Sequence, residues 1–138
     1  WKSRGLGDVY KRQVINIVGG AARSPSMDFM VGGSVNAALA NFSKALAAQG
    51  LVDDVNVNWI LPGMTETERM ERLLEGKAKM QNKSKDEVRA DSINNEGLRR
   101  LGLPEDVAEL VVFLCSPAAR HIQGAGIPVD GGAGKGYY

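Results

Sequence analysis

The chain has 138 residues, of which 43% are hydrophobic and 24% are charged, and its 17 basic and 16 acidic residues give a net charge of +1. This size and composition are typical of a single globular domain. The near-neutral balance gives no reason to expect nucleic acid or a membrane surface as a partner. No apolar run is as long as a transmembrane helix and the first residues lack the apolar centre of a signal peptide, so we expect a cytoplasmic protein.

Residues 3–13 show no apolar period and no helix cap, and they match the translation of an adapter used to build sequencing libraries. We therefore set residues 1–13 apart as an adapter-derived or disordered N-terminal arm, with a flexible basic arm as the alternative. On this interpretation the natural reading frame continues upstream of Val14 and the chain is a fragment. Residues 133–138 are expected to form a C-terminal tail.

The first half of the chain predicts a strand and a helix. Val14–Val18 is apolar, β-branched and ended by glycine, which indicates a buried parallel strand. A helix is predicted over Ser34–Gln49, with Ser34 as a good N-cap and Gly50 as the stop. Its apolar residues recur at spacings of three and four and are expected to share the inward face: Val35, Ala38, Leu39, Phe42 and Leu46.

The second half predicts two further strands, Val55–Leu61 and Gly126–Val129. Helical periodicity runs from Thr65 to about Lys79, and a further helix opens at Pro104 and is closed by Ser116–Pro117. The inward residues of that last helix are predicted to be Val107, Leu110, Val111 and Leu114. The stretch 82–95 is polar and is interpreted as a mobile connection with a short helix around Asp86–Ile93. Alternating strands and helices predict an α/β fold with about three parallel strands.

Four segments, in this order, resemble the C-terminal part of the short-chain dehydrogenases/reductases. They are Val14-Ile-Asn-Ile-Val18, Asn36-Ala-Ala-Leu39, Val57-Asn-Trp-Ile-Leu-Pro-Gly63 followed by Thr67, and Gly102-Leu-Pro-Glu-Asp-Val-Ala108 with Gly124 and Val129-Asp-Gly-Gly132. The resemblance implies that residues 14–132 form the C-terminal portion of a doubly wound, Rossmann-like sheet. It also implies that residues 65–98 form the lid over the substrate.

The resemblance further implies a cofactor, NAD or NADP. The Pro-Gly turn follows a strand, at the sheet edge where open α/β folds bind ligands. In the family this segment contacts the nicotinamide half of the cofactor, so the expected cofactor-binding residues are Asn36, Pro62, Gly63, Met64, Thr65 and Thr67. From the residues alone, a plain chain turn is the favoured interpretation of Pro62–Gly63, since such dipeptides mark turns in all kinds of protein.

The family's catalytic serine, tyrosine and lysine fall on Gly19, Gly32 and Asn36, so no catalytic residue is intact. The usual chemistry needs a phenol whose pKa is lowered by an ammonium group, and glycine and asparagine supply neither. The nearest upstream aromatic, Phe29, has no hydroxyl. Asp28 could act as a base and Ser34 as a donor, while their ordinary roles would be a solvent-facing loop residue and a helix cap.

The lone histidine, the lone cysteine and a group of four lysines give weaker signals of function. The lone His121 lacks a second ligand nearby and is expected at the surface rather than at a metal. The lone Cys115 is expected to be a small buried hydrophobe. The lysines could grip a phosphate, but acidic neighbours favour a solvated face: Lys77, Lys79, Lys83 and Lys85.

The functional hypothesis is a fragment of an atypical NAD(P)-dependent oxidoreductase that transfers hydride between nicotinamide and a carbonyl or alcohol. The alternatives are a non-catalytic binding or regulatory relative and a truncated product with no function of its own. The fragment itself is expected to bind no cofactor, because nothing in it matches the glycine-rich phosphate turn; Gly131–Gly134 has no helix after it. The parent would act on a small molecule and form homo-oligomers through the 34–49 helix.

Overall fold

Three parallel strands form the sheet of this chain. A computed structural model describes residues 12–135. Within that range β1 (Arg12–Ile17), β2 (Val55–Pro62) and β3 (Gly126–Val129) lie side by side in sequence order. Both strand pairs are parallel, so the carboxyl ends of all three strands meet at one edge. The predicted α/β class and three-strand parallel sheet are confirmed.

The first strand begins earlier than predicted. Arg12 pairs with Val55 and Ile17 pairs with Ile60, so the strand includes two residues before the predicted start at Val14 and ends one residue before Val18. The expected adapter-derived arm otherwise falls on residues 1–11, which lie outside the described residues.

Four α-helices surround the sheet: α1 (Met30–Asp53), α2 (Glu68–Gln81), α3 (Lys85–Glu96) and α4 (Pro104–Leu114). Short 3₁₀ turns occur at Gly20–Ala22, Met27–Phe29 and Pro117–Ala119. Helix α4 opens on a proline as predicted, because the missing N–H of Pro104 falls where a helix has no partner for it. Within residues 12–135 no helix is both long and apolar enough to span a bilayer.

The central strand β2 is buried on both faces and carries two cores. On one side Trp59, Leu61 and Val18 form a cluster against α1. On the other side Ile60 packs with Leu114 of α4. The predicted inward residues of α4, Val107, Leu110, Val111 and Leu114, all belong to this second cluster. Helices on both faces of a parallel sheet leave the strand ends as the open edge where a ligand can reach the backbone.

The inward face of α1 differs from the prediction. The side chains buried against the sheet are mostly small, and they recur along one stripe: Gly33, Ser43, Ala47 and Gly50. Val35, Ala38 and Phe42 are exposed, while Leu39 packs on the Trp59 cluster. The reason is close approach, because a Cβ at residue 50 would overlap the carbonyl oxygen of Val55. Large apolar residues cannot fit there and lie on the opposite face.

Both ends of α1 also differ from the predicted helix bounds of Ser34–Gln49. Gly50 does not stop the helix, which continues to Asp53 and ends where Asp54 adopts a left-handed conformation (φ 53°). Ser34 is not the N-cap, because the helix already begins at Met30 and the Ser34 hydroxyl donates to the Met30 carbonyl oxygen at 2.9 Å. Glycine is tolerated within the helix since tertiary packing outweighs its low propensity.

The short helix predicted around Asp86–Ile93 is present and longer than predicted, so the polar stretch after α2 is mostly helix α3 (Lys85–Glu96) rather than a mobile connection. Helix α3 begins at a capping box in which Glu87 N–H donates to Ser84 Oγ and Ser84 N–H donates to the Glu87 carboxylate. Val88 buries itself against Leu74 and Ala78 of α2. The spacing Ser84-x-x-Glu87 is a helix-start signal that the low apolar content obscured.

Cys115 is exposed, contrary to the expectation of a buried hydrophobe. It follows the buried Leu114 at the end of α4. Adjacent residues of a helix do not share a face, so burial of Leu114 directs its neighbour outward.

Candidate functional site

A large cleft, about 1300 Å³ in volume, opens at the carboxyl ends of the strands. The loop after β1, the Pro62–Gly63 turn, the first turns of α2 and the segment after β3 form its walls. All six residues expected to contact a cofactor line it: Asn36, Pro62, Gly63, Met64, Thr65 and Thr67. Gly19 lines it as well, whereas Gly32, Asp28 and Ser34 do not.

The Pro62–Gly63 turn lies directly against the end of β3. Gly63 N–H donates to the Val129 carbonyl oxygen at 3.0 Å. A Cβ at residue 63 would lie 2.8 Å from the Cα of Asp130, closer than side chains pack. Glycine is therefore required by the approach of two backbone segments.

The segment after the turn is braced by Gly102. Glu66 N–H donates to the Gly102 carbonyl oxygen and Gly102 N–H donates to the Met64 carbonyl oxygen, each at 2.8 Å. Thr65 Oγ1 donates to the Gly63 carbonyl oxygen at 3.1 Å. Two of the sequence segments that carry the family resemblance thus meet here, and each supports the other at the cleft.

Thr67 caps the helix that forms the opposite wall. Its Oγ1 accepts a hydrogen bond from Met70 N–H at 3.2 Å, so the oxygen stabilises the first turn of α2. A hydroxyl that accepts in this way keeps its own proton for donation. Thr67 can therefore donate to a ligand in the cleft while it holds the helix.

Asn36 connects the first helix of the site to the end of β1. Its Oδ1 accepts from Gly19 N–H at 2.7 Å, and its Nδ2 donates to the Gly32 carbonyl oxygen at 2.8 Å. A Cβ at residue 19 would lie 3.3 Å from the Asn36 amide, a tight contact that glycine avoids. One N–H and one oxygen lone pair of the amide remain for a ligand.

The ring of Phe29 takes the space that a side chain at residue 32 would need. A Cβ built on Gly32 would overlap the outer ring atoms of Phe29. The ring itself lines the cleft while Gly32 lies behind it. The position at which the family has its tyrosine is therefore covered by an aromatic ring without a hydroxyl. Sequence reasoning noted Phe29 only as lacking a hydroxyl, and no local signal places its ring over Gly32.

Asp28 and Ser34 do not take over the missing chemistry. Asp28 is exposed, and only its backbone N–H has a role, donating to Ser26 Oγ at 3.3 Å. The Ser34 hydroxyl is committed within α1. Since neither side chain lines the cleft, the hypothesis that they replace a base and a donor finds no geometric basis.

The cleft contains four charged residues that sequence reasoning did not single out: Arg23, Arg69, Glu96 and Asp130. The Asp130 carboxylate accepts from Gly132 N–H at 2.9 Å and from Gly134 N–H at 3.0 Å, which shapes the glycine-rich tail into a wall. For Arg69 the sequence did offer a signal, because this residue lies two positions after Thr67 of the family motif.

Two of the four lysines that could grip a phosphate are instead paired with acidic side chains. Lys83 pairs with Asp91 and Lys85 pairs with Glu71, each at 2.7 Å. The hydrogen bond from Lys85 is the main cause that lowers the pKa of Glu71, and the bond to Asp91 raises the pKa of Lys83. A hollow of about 310 Å³ lies beside them, away from the cleft. These pairs favour the solvated-face interpretation.

His121 is exposed in the turn before β3, as expected. Among residues 12–135 no group of three or more His, Cys, Asp or Glu side chains is placed to hold a metal ion.

A parallel sheet with helices on both faces and a cleft at its carboxyl edge defines an α/β protein of the doubly wound class. The chain belongs to the short-chain dehydrogenase/reductase family. Residues 12–134 match the family model described as enoyl-(acyl carrier protein) reductase.

Three comparisons illustrate the relationship. The chain is 32% identical over 123 residues to the NADPH-dependent reductase BacG of Bacillus subtilis, covering 89% of this chain and 48% of that protein. It is 38% identical over 119 residues to an uncharacterized oxidoreductase of Mycobacterium tuberculosis, covering 86% of this chain and 41% of the relative. The crystal structure of L-sorbose reductase from Gluconobacter frateurii, complexed with NADPH and L-sorbose, superposes with a TM-score of 0.85 at 28% identity, over 91% of this chain and 48% of that one.

The chain spans about half the length of the curated relatives it matches.

Proposed function

We propose that this chain is the nicotinamide- and substrate-contacting portion of an NAD(P)-dependent oxidoreductase that transfers hydride between nicotinamide and a carbonyl or alcohol. The observation that carries the proposal is the cleft itself. All six residues expected to contact the cofactor line the same cleft, at the edge of the sheet where this class of fold binds ligands. Family membership and the NADPH-dependent relative support the choice of chemistry.

The cleft residues suit the nicotinamide half of a dinucleotide. Gly63 lines the cleft with backbone atoms alone, which a flat ring can contact. The Thr67 hydroxyl keeps a proton that can donate to a carboxamide or phosphate oxygen. The spare N–H and lone pair of Asn36 can bind a ribose hydroxyl. When bound, nicotinamide would supply the hydride donor or acceptor.

A second candidate is a non-catalytic relative that keeps the fold and binds a ligand in the same cleft. Gly19, Gly32 and Asn36 supply neither a phenol nor an ammonium to protonate a carbonyl, and the Phe29 ring covers the place of the tyrosine. This candidate shares the cofactor contacts and differs only in lacking turnover.

The deciding experiment follows reduced-nicotinamide absorbance with the whole reading frame, NADH or NADPH, and a panel of carbonyl compounds. The matched pair of variants is Thr67→Ala, which removes both the cap and the free donor, and Thr67→Ser, which keeps both. We expect turnover by the wild type, and Thr67→Ser should retain it. Thr67→Ala should lower it about tenfold or more, because one oriented hydrogen bond is lost. Tight cofactor binding without turnover would support the non-catalytic candidate, and absence of cofactor binding would contradict both.

We further propose that the protein assembles as a homo-oligomer through α1. The large apolar residues of this helix lie on its outer face rather than on the sheet: Val31, Val35 and Phe42 are exposed. Contiguous exposed apolar surface favours association.

The cytoplasmic location stays a prediction from the sequence.

A further inference from the structure

Arg69 is one of two arginines that line the cleft, and like Arg23 it forms no ion pair within the described residues. The other arginines of the two lid helices are paired: Arg72 with Glu68, and Arg89 with Glu66 and Glu71. Within residues 12–135 no hydrogen bond or ion pair involves the Arg69 side chain, although acidic residues are abundant on the same helix. The lid thus satisfies its outer arginines and leaves one cation directed at the cleft.

The remaining charges of the cleft do not neutralise it. The Asp130 carboxylate is occupied by two backbone N–H groups. Glu96 forms no ion pair with Arg69 or Arg23 among the described residues, so its oxygens lie more than 4.0 Å from both guanidiniums. Arg23 reaches the Gly126 carbonyl oxygen at 3.4 Å and is partly engaged there. Arg69 is therefore the cation most available to a ligand.

Large apolar side chains line the same cleft as this cation. Met70 and Leu73 follow Arg69 on α2 by one and four positions, and all three line the cleft. Leu73 is 48% exposed and Phe29 is 42% exposed, large values for such side chains. Their exposed area faces a space that a ligand can fill, so burial of an apolar group there would be favourable.

We propose that Arg69 binds the carboxylate of an oxo-acid substrate, or of the corresponding hydroxy acid, whose hydrocarbon body lies against Phe29 and Leu73. A guanidinium recognises a carboxylate with two parallel hydrogen bonds, which also orients the molecule. The assignment rests on the proposed function, which supplies the reacting carbonyl. The other anion that could reach Arg69 is a phosphate group of the cofactor.

The test is a titration of the nitrogen-labelled 138-residue chain, followed by amide chemical shifts, without nicotinamide. The probes are 4-phenyl-2-oxobutanoate, the neutral ketone 4-phenyl-2-butanone, and inorganic pyrophosphate. The first two share the ring and the carbonyl and differ in the carboxylate. The variants are Arg69→Gln, Arg69→Lys, and Arg72→Gln as the matched control on the same helix, because Arg72 pairs with Glu68 outside the cleft.

We expect the oxo acid to bind about tenfold more tightly than the ketone, with shifts at Phe29 and Leu73, since a charge-assisted hydrogen bond contributes about that factor. Arg69→Gln should remove the preference, Arg69→Lys should keep part of it, and Arg72→Gln should keep all of it. Equal binding of acid and ketone, equal losses in the Arg69→Gln and Arg72→Gln variants, or no saturable binding of the acid would overturn the proposal. Arg69-dependent binding of pyrophosphate without a preference for the acid would also overturn it, by assigning Arg69 to the cofactor.

The titration omits the nicotinamide, so its outcome is independent of the hydride-transfer assay. Failed turnover with specific acid binding would remove the proposed function and leave the carboxylate site. Turnover with no preference for acids would do the reverse.

Discussion

At the scale of single residues, the three positions expected to correspond to the family's catalytic side chains form one hydrogen-bonded unit. Asn36 accepts from Gly19 N–H and donates to the Gly32 carbonyl oxygen. Gly19 avoids a tight contact with the same amide, and Gly32 leaves room for the Phe29 ring. Each departure from the expected family pattern therefore leaves space, or a hydrogen-bond partner, that the neighbouring residues use. Placing tyrosine at residue 32 alone would displace the Phe29 ring.

The Asn36→Ala substitution should destabilise the chain by about 1–3 kcal/mol, because it leaves the half-buried Gly19 N–H without a partner. The Gly32 carbonyl oxygen would still accept its ordinary helical bond, so the Gly19 N–H accounts for the loss. Urea unfolding measures the difference. Ser34→Ala is the control, since its exposed hydroxyl only bonds back within α1, and it should change stability by less than about 0.5 kcal/mol. Equal effects of the two changes would contradict the role of Asn36.

At the scale of secondary-structure elements, close approach decides where the helices lie. Helix α1 meets β2 through small side chains, and Gln123 ties the two together by accepting from Val57 N–H and donating to the Ala47 carbonyl oxygen, each at 2.7 Å. Helices α2 and α3 pack through the small apolar cluster of Leu74, Ala78 and Val88 and are joined in addition by ion pairs such as that of Lys85 with Glu71. The contact of α1 with β2 tolerates no added volume, whereas long ion-paired side chains can adjust their positions.

Two glycine-to-alanine changes in helix interiors should have opposite signs. Gly50→Ala adds a methyl group that overlaps the Val55 carbonyl oxygen, a backbone atom that cannot rotate away, so we expect a loss of about 1–3 kcal/mol. Gly76 has no atom near its added Cβ, so Gly76→Ala should stabilise α2 by about 0.5–1 kcal/mol. Thermal and urea unfolding of both variants test this. Stabilisation by Gly50→Ala would show that α1 is not pressed against β2.

The start of α4 should give the chain a specific acid sensitivity. The hydrogen bonds from Arg100 and then from Leu103 N–H lower the pKa of Asp106 from 3.8 to about 2. A lowered pKa in the folded state means that the contribution is present above the ordinary pKa and is lost as pH falls through the folded value. Urea unfolding from about pH 5 to about pH 2 should therefore show a larger loss of stability in the wild type than in Asp106→Asn, which keeps only the contributions of the other carboxylates. The neighbouring Glu105→Gln variant should retain the wild-type loss.

At the scale of the whole molecule, the described residues leave an apolar helix face and one strand edge exposed. The outer face of α1 is apolar, and β1 pairs on one side only within the described residues. An unpaired strand edge and exposed apolar side chains both favour pairing with further polypeptide.

The proposed assembly through α1 can be tested with two phenylalanines of similar exposure. Phe42 on α1 is 57% exposed and Phe113 on α4 is 44% exposed. Phe42→Glu should shift the protein toward monomer in sedimentation velocity, because it places a charge in the apolar contact, whereas Phe113→Glu should not. An oligomer that survives Phe42→Glu and dissociates in Phe113→Glu would place the interface on α4.

The chain by itself should bind NADPH weakly or not at all. Its 138 residues lack a match to the glycine-rich turn that holds the pyrophosphate in this class of fold, so only the nicotinamide half would find contacts. Calorimetric titration with NADPH measures this, and saturable binding at micromolar concentration would contradict the prediction.

The sequence by itself determined the α/β class, the three strands and the segments that line the cleft. These follow from local signals: apolar β-branched runs ended by glycine or proline, a proline that opens a helix, and motifs at fixed spacing. Such signals also placed Pro62–Gly63 at the functional edge, because a parallel sheet brings all carboxyl strand ends together.

Only the tertiary structure decided which face of α1 meets the sheet, that the Phe29 ring covers Gly32, and that Arg69 lacks an ionic partner. Each depends on atoms that are distant in sequence or that compete for the same space. The Val55 carbonyl oxygen excludes large side chains from one face of α1, so its apolar residues turn outward against the helical pattern. Periodicity along a single helix carries no information about what approaches it, and for this reason the sequence placed the site but not the side chains that complete it.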